Sequence, residues 1–172
     1  MKRWERLFTR IIFKVLYAQV KHSADTLRQK GEQALRDELD TLIMIHDLGV
    51  VIQRLYVFVG LKTANKVTRE INASIKAEQK RFGMGFDEKW TRLILEYFRL
   101  YLLSKAVLPI TAEIKRLILE TLNKGLNEGW GIDKIAGEIE KADFPLIRAR
   151  VIARTEILKA QFYGEELAKQ DT

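Results

Sequence analysis

The chain has 172 residues, 47% of them hydrophobic and 31% charged, which is enough apolar material for one buried core and too much for a disordered segment. It has no cysteine and only two, widely separated histidines, His22 and His46, so a disulfide framework, a thiolate nucleophile and a thiolate metal site are excluded. The net charge of +7 is concentrated at one end: residues 1–30 hold eight basic and two acidic groups, and the remainder is nearly neutral.

Residues 3–21 predict an amphipathic helix in which Trp4, Leu7, Phe8, Ile11 and Val15 share a face. Arg3, Arg10, Lys14 and Lys21 line the opposite side with Arg6 close by, and Phe13 and Tyr17 fall among them. That face reads as a solvated surface, as a dock for an acidic protein surface or nucleic-acid backbone, or as a membrane-surface helix. Met1-Lys2-Arg3 is followed by charges at Glu5, Arg6, Arg10 and Lys14 rather than by an unbroken apolar core, so no signal peptide is expected.

Gly31 separates this basic arm from a second helix, Glu32 to about His46, with Leu35, Leu39, Leu42 and Ile43 as its apolar seam. Asp47-Leu48-Gly49 predicts a break before a more apolar helix that begins at Val50. Gly60 marks an interruption or a close contact, and the pattern resumes at Ala64, Val67, Ile71 and Ile75. The apolar window Leu42 to Leu61 carries His46, Asp47, Gln53 and Arg54, so a membrane span is not expected, and membrane contact by residues 3–21 ranks below a protein or nucleic-acid partner. Gly83-Met84-Gly85 predicts a turn, after which Asp87 caps a helix from Glu88 to Val107 with Trp90, Leu93, Ile94, Tyr97 and Tyr101 at core spacing.

Pro109 is expected to stop that helix and Thr111 to cap the next, with Ile110, Ile114, Leu117, Ile118, Leu122 and Leu126 inward. Gly129-Trp130-Gly131 is a tight connector, Asp133 caps a short helix through Glu140, and Asp143-Phe144-Pro145 leads into the last one. No stretch alternates as a strand does. The fold class predicted is therefore all-α: a multi-helix bundle with an amphipathic basic N-terminal helical arm, residues 1–30, and a helical domain, residues 31–172.

In the last helix Ile147, Val151, Thr155, Leu158 and Phe162 fall on one stripe, predicted to be the docking face. Arg150 and Arg154 lie four apart on its flank, with forks suited to bidentate capture of a carboxylate or phosphate. Arg154 and Glu156 point to different sides, so each needs a partner from elsewhere. They tie the helix to its neighbours, or they meet DNA phosphates or an acidic partner.

The Ile152-Ala153-Arg154-Thr155-Glu156 core of this helix resembles the signature of the phage head-morphogenesis minor capsid proteins, the Mu F-like group. Ile110-Thr111 opening a helix, Gly125-Leu126-Asn127-Glu128-Gly129 closing it and Ile132-Asp133-Lys134-Ile135-Ala136 beginning the next follow the order of that family's domain, so the resemblance spans about residues 57–165. It implies a virion protein present in few copies near the portal vertex, passing through the host cytoplasm during assembly. Its partners would be portal protein, major capsid protein or both, with packaged DNA as a further contact. The interaction residues implied are Arg148, Arg150, Arg154, Thr155 and Glu156, alongside the basic arm of Arg3, Arg6, Arg10, Lys14 and Lys21. The residues themselves hold no phosphate-cradling loop, nucleophile elbow or catalytic base, so no enzyme, cofactor or metal site is expected. A basic helical nucleic-acid-binding protein unrelated to capsids and a peripheral membrane protein are the alternatives.

Overall fold

Gly31 sets the course of the first helix. In the computed structural model, which describes residues 2–43, 45–74, 85–141 and 143–170, helix α1 (Lys2–Leu42) kinks where Gly31 takes φ 86° and ψ −176°. That left-handed backbone strains any residue with a Cβ, so the expected separation falls where the sequence places it. Before the kink α1 buries Phe8, Ile12, Leu16, Val20, Ala24 and Leu27; after it, Leu35, Leu39 and Leu42. The buried face is rotated by about one residue from the one predicted: Ile12 and Leu16 are inside, while Leu7 is 47% exposed. The stretch from Phe8 to Leu27 thus shares one core with the rest of the bundle.

Helix α2 (Ile45–Ser74) corrects the predicted break at Asp47–Gly49, which lies inside the helix. A helical glycine costs only about 1 kcal/mol, and continuing the helix buries Leu48, Ile52, Leu55, Tyr56 and Val59 completely or nearly so. Gly60 does not interrupt it either. By length and composition alone, an 18-residue window within Arg3–Glu70 is apolar enough to cross a membrane, and half of it is buried inside the bundle. The Gly83-Met84 part of the predicted turn, and Ile75, lie outside the described residues.

Helix α3 (Gly85–Tyr97) begins ahead of Asp87, which therefore lies within its first turn instead of capping it. It continues as a π-helical segment, Phe98–Val107, and then as α4 (Leu108–Asn127) without a break. Pro109 was expected to end the helix because it lacks an N–H and crowds the carbonyl four residues back. The wider π winding relieves this: the Leu108 N–H donates to the Leu103 carbonyl five residues back, and Pro109 sits in the first turn of α4. Thr111 is consequently no cap; its Oγ1 donates back to the Val107 and Leu108 carbonyls at 3.2 and 2.9 Å. Ile114, Ile118 and Leu122 face inward as expected, whereas Leu126 is exposed.

Helix α4 ends as the glycines predict. Gly129 has φ 68°, its N–H donates to Leu126 O at 3.1 Å, and the Trp130 N–H donates to Gly125 O at 2.8 Å, a Schellman closure. The N-cap of α5 (Ile132–Ile139) is Gly131, so Asp133 stands in the first turn, where its charge still complements the helix dipole. Among the described residues every regular element is helical, and the architecture is an all-α multi-helix bundle.

The last helix, α6 (Asp143–Gln170), packs against both α1 and α2. Its docking face is the reverse of the one predicted. Ile147, Val151, Leu158 and Phe162 are 59%, 48%, 48% and 65% exposed, while Ala149, Ile152, Ala153, Ile157, Ala160 and Leu167 are buried. The helix has two apolar faces, and the one with small side chains goes inward because α2 comes close: a Cβ on Gly164 would strike the Gly60 carbonyl oxygen and lie 3.1 Å from its Cα. At that spacing a row of large side chains has no room.

Candidate functional site

The signature segment of α6 divides by solvent exposure. Ile152 and Ala153 are core, and Glu156, only 3% exposed, sits among apolar neighbours as a buried carboxylate. It accepts a hydrogen bond from the Tyr56 hydroxyl of α2 at 2.9 Å and another from Lys159 Nζ at 2.9 Å. Burial, followed by the field of this carboxylate, pushes the Tyr56 phenol well above its ordinary range. Tyr56 could not be found from the sequence, since an aromatic in an apolar run reads as core and nothing local ties it to a residue 100 positions away.

Arg154 and Thr155 point to solvent, and among the described residues Arg154 makes no ion pair. Arg154→Ala should therefore change folding stability by no more than about 0.5 kcal/mol in denaturant titration. A loss of 2 kcal/mol would show a contact that the structure lacks. Arg148 pairs with Glu113 of α4, so it fastens α6 to the bundle.

The basic face of α1 is solvent-exposed at Arg3, Arg6, Arg10, Lys14 and Lys21, and Phe13 and Tyr17 stack at 5.5 Å between ring centres. Tertiary packing divides these residues. Arg6 and Arg10 join Arg150 of α6 around an open groove of about 630 Å³, with Glu5, Thr9, Phe13 and Leu146 completing its walls. On their other side the same two arginines border a second groove with Arg3 and Lys62, over Trp4, Leu7 and Phe58. Lys62, which sequence reasoning passed over, comes from α2 and lies 4.6 Å from the Phe58 ring centre. Among the described lining residues of the two grooves, five are cations and one, Glu5, is a carboxylate.

Lys14 and Lys21 fall outside this cluster. Lys14 borders a separate hollow with His22 and Asp47, and Lys21 lies in the field of Glu140. Arg28 donates to both oxygens of Glu140, at 2.6 and 3.0 Å, and holds that carboxyl below the ordinary range. This pair links α1 to α5.

No protein-family model, curated protein or solved structure matches the chain. What the site can do follows from its groups. Guanidinium forks with no neutralising partner bind phosphate or carboxylate oxygens, and they stay charged at every physiological pH. Among the described residues no group of three or more histidines and carboxylates is placed to hold a metal ion.

Proposed function

We propose that this chain is a phage minor head protein that works by binding rather than by catalysis. It would act near the portal vertex of the virion, and in the host cytoplasm during assembly, by engaging portal or major capsid protein, with packaged DNA as a further contact. The Ile152–Glu156 resemblance supports the class. The observation that carries the binding role is the convergence of Arg6 and Arg10 of α1 with Arg150 of α6 on one groove. A protein set between shell, portal and genome meets anionic surfaces on several sides, and a cluster of five cations suits it to them.

The triple variant Arg6→Glu, Arg10→Glu, Arg150→Glu should keep its fold, since all three side chains are exposed. Its binding to isolated portal protein and to duplex DNA should fall at least about tenfold, and the slope of log affinity against log salt should shrink by roughly 3 for DNA. Recovery of the protein from purified heads and capture by portal are the deciding measurements. Absence from heads together with no affinity for any head protein would defeat the proposal. Retained DNA affinity in that case would favour the second reading that the same groove supports, a basic helical nucleic-acid-binding protein unrelated to capsids.

A further inference from the structure

The apolar stripe that α6 turns outward is unclaimed by the fold. Ile147, Val151, Leu158 and Phe162 are each about half exposed or more. With Thr155 they follow successive steps of four, four, three and four residues, so the stripe runs along one side of the helix for about 22 Å. Four turns of a partner helix would cover it. Burying four large apolar side chains that fold into nothing else is how an amphipathic helix is received.

Charge decides what kind of helix. On one flank stand Arg150 and Arg154, neither in an ion pair among the described residues, with Arg6 and Arg10 beyond across the groove. On the other flank Lys159 is half exposed although it reaches Glu156. A second copy of the chain fits poorly. Antiparallel pairing would match Ile147 with Phe162 and Val151 with Leu158, but it would also set Arg150 against Lys159; parallel pairing would set each arginine against itself. The geometry points to an amphipathic helix of another protein, with an apolar seam and carboxylates on the flank that meets Arg150 and Arg154, as the occupant of this stripe. This docking does not depend on the head-protein reading and would stand without it.

The test uses the full chain and two synthetic 18-residue helical peptides that share a Leu/Ile seam at the same spacing. One is flanked by Glu and the other by Lys, and binding is followed by fluorescence anisotropy. The Glu-flanked peptide should bind at least tenfold more tightly than the Lys-flanked one. Val151→Asp with Leu158→Asp should abolish that binding with helical content and melting temperature unchanged, and Arg150→Glu with Arg154→Glu should reverse the preference. If the aspartate pair does not fold, Ile147→Ser with Phe162→Ser at the two most exposed positions gives the same readout. No binding by either peptide, equal binding of both, or binding that survives the stripe substitutions would overturn the inference. So would a concentration-dependent dimer of the chain alone that the stripe substitutions dissolve, since the occupant would then be a second copy.

Discussion

Gly164→Ala is expected to destabilise the chain by about 3 kcal/mol, the upper end of what one added methyl group costs in a packed core. The added Cβ would strike the carbonyl oxygen of Gly60 and lie 3.1 Å from both the carbonyl carbon and Cα of that residue. These are backbone atoms, so no rotamer change relieves the contact; α6 must lift off α2 and loosen the packing of Ala160 and Ala153 on the same face. For a chain of this length the melting temperature should drop by roughly 6–12 °C. Gly137→Ala is the matched control. A Cβ at Gly137 meets nothing within 4 Å, and the position is an exposed helical one in α5, so alanine should stabilise by about 0.5–1 kcal/mol. Thermal and denaturant unfolding of the two variants check both signs, and an unchanged Gly164→Ala protein would mean that the two helices do not approach as described.

The second large effect centres on the buried Tyr56–Glu156 contact. Tyr56→Phe removes a donor from a buried carboxylate and leaves Glu156 with Lys159 alone, at a cost of about 1.5–3 kcal/mol. Glu156→Ala strands the Tyr56 hydroxyl in turn, and a double-mutant cycle should return a favourable coupling between the two residues. The contact also makes stability depend on pH. Burial first, and the Glu156 carboxylate second, hold the Tyr56 phenol above its ordinary value in the folded chain. The folded state therefore keeps a proton that the unfolded state releases above about pH 10. This contribution is complete below that pH and is lost as the pH rises past it. Wild type should lose stability on the alkaline side more steeply than Tyr56→Phe; identical alkaline limbs would remove the assignment.

Much of the architecture is legible locally. Apolar residues recurring every three to four positions, without strand alternation, fix the helical class, because that spacing lines up one face of a helix and scatters over both faces of a strand. The Gly31 kink and the Gly129 closure are equally legible, since both need a backbone conformation that glycine alone adopts without strain. The exposure of Arg3, Arg6, Arg10, Lys14 and Lys21 is also readable, because a charge on the face opposite an apolar stripe has nowhere else to go.

The rest was decided by partners distant in sequence. Pro109 has a local rule that predicts a stop, and the π winding before it overrides that rule through a hydrogen bond no propensity records. The last helix carries two apolar faces, and area alone favours burying Ile147, Val151, Leu158 and Phe162. Close approach at Gly60 instead selects the face that carries Gly164, Ala160 and Ala153, with Ile152, Ile157 and Leu167 beside them, and sends the other to the surface. Glu156 becomes a buried anchor only because Tyr56 lies across from it. Arg6, Arg10 and Arg150 form a single site only because α1 and α6 pack side by side. A residue's secondary structure depends on its near neighbours along the chain. The face it presents and the charges it joins depend on which helices meet, and only the tertiary structure of this protein settled that.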